Sequence, residues 1–396
     1  VRILWKSAYP GWDGQHPGMA TGYASQSALI LPRLRALGHD VAVSCTHGQV
    51  GHPGQWNGIP VFGASGYTDL GEDTVGGDYE RFNADLCITF MCTWVSQFPP
   101  LWRNLRTLHL MNVDCAPMSW GDYRVIADTG GMPAATSRAG WEIMRAGGKT
   151  PGRPDDLREP LDPLYLPHGT DLKVYSPVTS TVRDRLREEM GLAGKFVAGM
   201  NFHNNDRLPD RKNIARQLRG FALFHVEHPA SVLMLNAVER LPDGWNLPVM
   251  CAYYGLQWGR DVQPTPGYEL ISGQIPPAAL ADWYRVLDVY LGAGNEGFGL
   301  PGLEAQACGT PAILLAAGSG PELAGDCNWL LSGEPEYNEV HRADWVRPSA
   351  AAVAAALEEA FEEAAARREA VRENATAWDI NTIIRDHWEP ALAELA

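Results

Sequence analysis

The stretch Gly294-Asn295-Glu296-Gly297-Phe298-Gly299-Leu300-Pro301-Gly302-Leu303-Glu304-Ala305-Gln306-Ala307-Cys308-Gly309-Thr310-Pro311 governs how the rest of the chain is read. It follows a strand-like apolar run, Val289–Ala293, and opens into a helical pattern over Leu300–Ala307. Glycines at a strand-to-helix turn let the backbone approach a ligand closely, and a helix N-terminus offers free N–H groups and positive potential to a phosphate. Glu296 falls in the loop and Glu304 inside the helix. The two carboxylates are thus offset by about one helical turn plus a loop, and can meet different parts of one elongated ligand. The plain alternative is a Gly-rich turn before a helix whose Glu faces solvent, and a short glycine motif alone does not exclude it.

Outward from this stretch, short apolar runs alternate with helical segments. In the first half the strand candidates are Arg2–Lys6, Asp40–Cys45, Pro60–Gly63, Leu86–Phe90, Thr107–Met111 and Ala134–Ser137, with a helix over Tyr23–Leu37. A break follows: Gly147 to Pro163 is dense in Gly, Pro and charge and reads as surface loop leading to an interdomain linker. The rhythm restarts with strand candidates Phe196–Met200, Ser231–Leu235, Pro248–Tyr253, Tyr268–Ile271, Val289–Ala293, Pro311–Leu315 and Trp329–Leu331, and closes with helices over Ala350–Arg372 and Asn381–Leu395. Alternation of this kind implies parallel strands with crossover helices, and therefore two doubly wound Rossmann-like α/β domains. The expected bounds are 1–172, 173–377, and a C-terminal helix over 378–396 that packs back on the first domain.

Composition narrows the class. A chain of 396 residues exceeds what one core usually organises. With 45% hydrophobic and 20% charged residues it is ordinary folded protein. The net charge of −15 disfavours a nucleic-acid partner, since phosphate neutralisation needs a basic surface. Seven scattered cysteines with no C-x-x-C spacing fit a reducing compartment rather than a disulfide framework. No run approaches the ~18 apolar residues of a membrane span, and Val1–Lys6 carries no secretory pattern, so a cytoplasmic location is expected.

Glu296 and Glu304 form an E-x7-E pattern, and here the chain resembles the retaining glycosyltransferases of family 4, which have the GT-B architecture. The resemblance extends through Leu280–Leu291 before the motif and Cys308-Gly309-Thr310-Pro311 after it. Leu166-Pro167-His168-Gly169-Thr170-Asp171 to Pro177 is similar to the family's interdomain linker, and Thr21-Gly22-Tyr23 to an N-terminal glycine loop, although Ala24 replaces a frequent glycine. Together these points cover most of the C-terminal half and scattered parts of the first.

The resemblance implies that Glu304 binds the donor's ribose hydroxyls, a task suited to an acceptor carboxylate. It implies that Glu296 meets the transferred sugar, while Gly297, Phe298, Gly299 and Leu300 supply backbone facing sugar and pyrophosphate, and Gly22 serves donor binding from the N-terminal side. The family places an Arg and a Lys on the donor pyrophosphate, after the strand Phe196–Met200. Lys212 matches the lysine, but Asn201 stands near the arginine's position, so Arg207 or Arg211 is the replacement to consider. A fixed cation there stabilises the negative charge that grows on the leaving diphosphate.

The N-terminal half should supply the acceptor side. Its first β–α junction, with Trp12 and His16, lies where a doubly wound sheet binds ligands. After Thr107–Met111 comes Asp114, the candidate polar group against the sugar, with His109 the weaker one; Thr93 and Trp94 are candidate acceptor contacts. No D-x-D stands where a divalent ion would clamp a diphosphate, and His225 and His228 read as surface residues, so no metal or other cofactor is expected. The expected partners are a UDP- or GDP-sugar and an acceptor that is a saccharide, a glycolipid precursor or a small molecule. The rivals are a nucleotide-sugar epimerase or phosphorylase on the same fold and a catalytically silent nucleotide-sugar binding protein.

Overall fold

A strand whose side chains are buried on both faces needs a sheet covered on both sides, and Leu86–Phe90 and Thr107–Met111 are buried at every position. Two such sheets organise the chain. The computed structural model describes residues 1–14, 16, 18–65, 71–91, 102–205, 210–271 and 273–395. Its contacts fall into two units: Val1–Gly169 with Asn338–Asp344 and Ile380–Ala396, and Thr170–Tyr337 with Trp345–Asp379.

In unit 1 the strands are β1 (Arg2–Ser7), β2 (Asp40–Cys45), β3 (Gly54–Trp56), β4 (Ile59–Phe62), β5 (Leu86–Phe90), β6 (Thr107–Met111), β7 (Met132–Ala135), β8 (Gly148–Lys149), β9 (Leu157–Arg158) and β10 (Leu164–Tyr165). Eight of them form one sheet in the order β10-β7-β6-β5-β1-β2-β4-β3, parallel except for the hairpin β3–β4. Because β1 lies between β5 and β2, the strand order reverses there, and the loop leaving β1 opens at that switch point. The helix Gly22–Ala36 then begins at Thr21, whose hydroxyl accepts from Ala24 N at 3.1 Å.

In unit 2 the strands β11 (Phe196–Asn201), β12 (Ser231–Asn236), β13 (Val262–Pro264), β14 (Val289–Gly292), β15 (Ala312–Leu315) and β16 (Trp329–Leu331) pair in parallel in the order β13-β12-β11-β14-β15-β16. Here the order reverses between β11 and β14. One apolar cluster, with Leu218, Phe221, Leu233, Leu291 and Leu357, and a second, with Val197, Tyr284, Leu303, Ala305 and Leu314, form its core. The antiparallel pair β17 (Glu334–Asn338) and β18 (Ala343–Arg347) follows, then the long helix Ala350–Ala375, capped by Ser349.

Several sequence expectations give way. Pro248–Tyr253 is not a strand but lies in the helix Leu247–Tyr253. Asn246 caps it, Pro248 suits its first turn, and the buried Leu247, Met250 and Cys251 follow helical spacing. Tyr268–Ile271 lies in a short helix, Gly267–Ile271, and the edge strand is instead β13, which the sequence reading passed over. Gly147–Pro163 is not a featureless loop: β8 and β9 pair within it, and Asp156 and Arg158 are buried together at 3.3 Å. Nor are His225 and His228 simple surface residues. His225 bonds Ser231 Oγ at 2.9 Å, and His228 stacks on Phe224 and bonds Glu358 at 2.8 Å. The final helix is interrupted by a π-helical turn at Ile384–Trp388. No described helix is long and apolar enough to cross a membrane.

Candidate active site

The carboxyl ends of β11 and β14 each release a loop that runs into a helix N-terminus. The loop after β11 leads to the helix Ile214–Glu227, and the loop after β14 to the helix Leu300–Ala307. Open α/β sheets bind ligands in the crevice at such a switch point, and the positive end of the helix Leu300–Ala307 favours an anion there.

The two loops are fixed to each other by backbone-directed amides. Asn295 N and Nδ2 both donate to Arg211 O, at 3.1 and 3.0 Å, while Asn295 Oδ1 accepts from Val346 N at 2.8 Å. Asn213 sits in the left-handed region at φ 53°, and its Nδ2 donates to Ala293 O at 2.9 Å. Asp210, also left-handed, accepts from Ile214 N at 2.9 Å. Burial pushes its carboxyl up to about 6, against the lowering effect of these bonds. Such amide and carboxylate bonds hold a positive-φ backbone that would otherwise be strained.

On this frame Arg211, Lys212 and Glu296 come together. Lys212 Nζ lies 3.3 Å from Glu296 Oε1, and Arg211 Nη1 lies 3.3 Å from Glu296 Oε2. Burial alone would raise the Glu296 carboxyl, but the charges of Lys212 and Arg211 outweigh it and bring the group down to about 2. Glu296 is therefore ionised throughout the neutral range and acts as a hydrogen-bond acceptor only. Its carbonyl is held by Ser319, through N at 3.3 Å and Oγ at 3.0 Å. Gly297 is buried, the Phe298 ring packs edge-on against Trp378 at 5.4 Å, and Leu300 is half-buried at the helix start. Gly299 precedes that helix at φ 89°, ψ 48°, a conformation only glycine takes readily.

Asn201 and Glu304 are joined through one hydroxyl. Asn201 Nδ2 donates to Tyr284 Oη at 2.7 Å, and Tyr284 Oη donates to Glu304 Oε2 at 2.8 Å. Asn236 Nδ2 donates to Asn201 Oδ1 at 3.0 Å, completing the chain. Glu304 is buried, and desolvation pushes its carboxyl up to about 7 although Tyr284 and Tyr175 both hydrogen-bond to it. The two tyrosines, Asn295 and Ser319 escaped the sequence reading. Tyr284 stands inside the quoted stretch before the motif, where it reads as part of an amphipathic helix and nothing more.

The N-terminal candidates belong to unit 1. Trp12 is half-buried in the loop after β1, and His16 is exposed with Nδ1 3.0 Å from Asp13. Gly22 is exposed in the first turn of its helix. Asp114 is half-buried just beyond β6, beside Cys115, whose thiol is pushed well above its usual range by burial and by the Asp114 charge. His109 is a core residue: it is fully buried between the hydroxyls of Thr89 and Thr129, each at 2.8 Å, and burial brings it down to about 4. Thr93, Trp94 and Arg207 lie outside the described residues. Among the described residues no three His, Cys, Asp or Glu side chains are grouped so as to hold a metal ion.

No family model matches the chain. Among curated proteins it is similar to the D-inositol 3-phosphate glycosyltransferase of Xylanimonas cellulosilytica, 28% identical over 204 residues that make up 50% of this chain and 43% of that protein. It is also similar to the mannosylfructose-phosphate synthase of Agrobacterium fabrum, 26% identical over 39% of this chain and 32% of that protein. The matched stretches thus span less than half the length of these relatives. Among solved structures, sucrose-phosphate synthase from Thermosynechococcus elongatus superposes with a TM-score of 0.71 at 18% identity, covering 100% of both chains. HepE from Anabaena, solved with UDP and glucose, superposes with a TM-score of 0.65 at 16% identity, over 99% of this chain and 100% of that one. The fold is that of the GT-B glycosyltransferases.

Proposed function

We propose that the chain is a retaining glycosyltransferase of family 4 type, moving a sugar from a UDP- or GDP-sugar to an acceptor hydroxyl without a metal ion. The observation that supports this best is the pairing of Lys212 and Arg211 with Glu296 at the reversal point of the β11–β14 sheet. The names of the relatives support glycosyl transfer, and the complex of HepE with UDP-glucose supports a nucleotide-sugar donor.

In this reading the diphosphate takes the place of Glu296 beside Lys212 and faces the N-terminus of the helix Leu300–Ala307. Glu296, ionised, then accepts hydrogen bonds from the sugar hydroxyls. The bond between the anomeric carbon and the phosphate oxygen breaks, its electron pair leaving with the diphosphate. The acceptor oxygen bonds to the same face of that carbon, and its proton passes to a donor phosphate oxygen. Lys212 stabilises the charge that grows on the leaving group. Glu304, tied to Tyr284 and Tyr175, accepts from the ribose in the same reading. Exclusion of water matters because water is the competing acceptor.

The test is incubation with a panel of UDP- and GDP-sugars and hydroxyl acceptors, reading nucleoside diphosphate release and product anomer by NMR. Acceptor-dependent release with retained configuration is expected. Inverted configuration would remove the retaining assignment. Donor binding without transfer to any acceptor would leave a binding protein.

A further inference from the structure

We infer that unit 2 carries a second anion site, in an arginine-lined crevice at the amino ends of β14 and β15, that takes inorganic phosphate or a small phosphate ester. The chain as a whole is acidic, at −15, yet four guanidiniums, those of Arg183, Arg285, Arg368 and Arg372, line one crevice of about 290 Å³. Cys308 forms part of its wall, with a thiol that burial pushes up to about 12 and so keeps neutral.

The positive charge is not cancelled locally. Asp288 pairs with Arg183 at 2.7 Å and with Arg187, behind it, at 3.1 Å, and Asp282 pairs with Arg285 at 2.7 Å. Arg368 and Arg372 have no carboxylate at ion-pair distance among the described residues. Arg368 donates to Leu287 O at 3.1 Å, and Arg372 to Tyr175 O at 3.0 Å and Ala307 O at 2.8 Å. These carbonyls orient the guanidiniums but leave Nη1 of Arg183 and Nε of Arg368 and Arg372 without a hydrogen bond among the described residues. Burial, and then the neighbouring charge of Arg183, brings the Arg368 guanidinium down to about 10, the direction expected where cations crowd.

Planar guanidiniums held in place with spare donors are the preferred partners of phosphate oxygens. The size fits a phosphate or small ester, being at the lower end of small-molecule pockets. The crevice is also distinct from the donor site. Glu296 follows the carboxyl end of β14, whereas Asp288 precedes its amino end, so the four residues of β14, roughly 13 Å, separate the two. The inference therefore does not depend on the proposed transferase activity.

The test is calorimetric titration of the whole chain, at low ionic strength, with inorganic phosphate and separately with a hexose 6-phosphate. Comparison of the two shows whether the ester's organic part contributes. Saturable binding is expected, retained in Lys212→Ala and weakened about tenfold in Arg368→Gln, the loss of one charged hydrogen bond. Glu369 is exposed, lines the crevice and repels an anion, so Glu369→Gln should tighten binding several-fold. That variant decides the matter should Arg368→Gln fail to fold. No saturable binding, binding abolished by Lys212→Ala alone, or affinity indifferent to Glu369→Gln would each overturn the inference.

Discussion

Asn201 and Glu304 meet at a single hydroxyl, Tyr284 Oη, which accepts from the amide at 2.7 Å and donates to the carboxyl at 2.8 Å. The amide thus fixes the direction in which the hydroxyl points. A residue that departs from the resembling family at one end of the chain of bonds is matched to a motif residue at the other.

Glu304 should reveal itself through pH. Its carboxyl is raised to about 7, so the fold favours the protonated form. The native state then binds more protons than the unfolded chain between about 4.5 and 7. The stabilising contribution is complete below the lower value and is lost as pH rises through the upper one. Glu304→Gln should therefore gain stability relative to the parent on going from pH 5 to pH 8, by up to about 3 kcal/mol. The same variant should bind UDP or GDP more weakly. Urea unfolding at the two pH values and nucleotide titration check the pair of outcomes, and a gain in stability with unchanged affinity would remove the ribose role.

Lys212→Ala should lower turnover by a factor on the order of 10²–10³ while weakening ground-state donor binding less, because diphosphate charge grows toward the transition state. Arg211→Ala is the comparison, since Arg211 shares the Glu296 carboxylate but also bonds Asn295 O. Equal large losses in kcat would give Arg211 the absent arginine's role; near-normal turnover in Lys212→Ala would displace the lysine from the reaction.

Gly318 tests whether the backbone of Glu296 is positioned from behind. Its φ is +56°, and a Cβ there would lie 2.7 Å from Glu296 O. Gly255, at φ +83° with nothing within 4 Å of a Cβ, carries the backbone strain alone. Each alanine variant should lose about 1 kcal/mol or more of stability, but only Gly318→Ala should also depress kcat. If both variants keep full kcat, the Glu296 carbonyl tolerates displacement.

Activity should survive an excess of chelator, as Lys212 and the N-terminus of the helix Leu300–Ala307 carry the diphosphate in the proposed mechanism. Loss of activity with chelator, restored by magnesium or manganese, would replace that mechanism with a metal-assisted one.

Most of the parallel strands were readable as short apolar runs, and β2, β5 and β6 carry the bounds their patterns imply, whereas the short β10 and β13 were not. Leu247–Tyr253 was not, since an apolar run of that length fits a buried strand or a short helix equally. The capping Asn246 settles it only once the i, i+3, i+4 burial of Leu247, Met250 and Cys251 is known. Within the site, Lys212 and Glu296 could be singled out from motif spacing. Their pairing could not, because it depends on Asn213, Asn295 and Val346 fastening two loops about 80 residues apart in sequence. Tyr284 was hidden for a different reason: a tyrosine on an amphipathic helix gives no sign that its hydroxyl will be claimed from both sides.

The division of the chain has a consequence for anyone wishing to study one unit by itself. The polypeptide passes between the units four times, at 169/170, 337/338, 344/345 and 379/380. Trp388, fully buried 5.9 Å from Trp5, belongs to the same core as the first strand of the chain, although 382 residues intervene. A fragment cut at Gly169 would therefore be missing part of its own interior, and no single proteolytic nick can release a complete half. Reconstituting unit 1 requires its three segments to be rejoined by engineered linkers, and during biosynthesis its last piece becomes available only after the whole of unit 2 has been made.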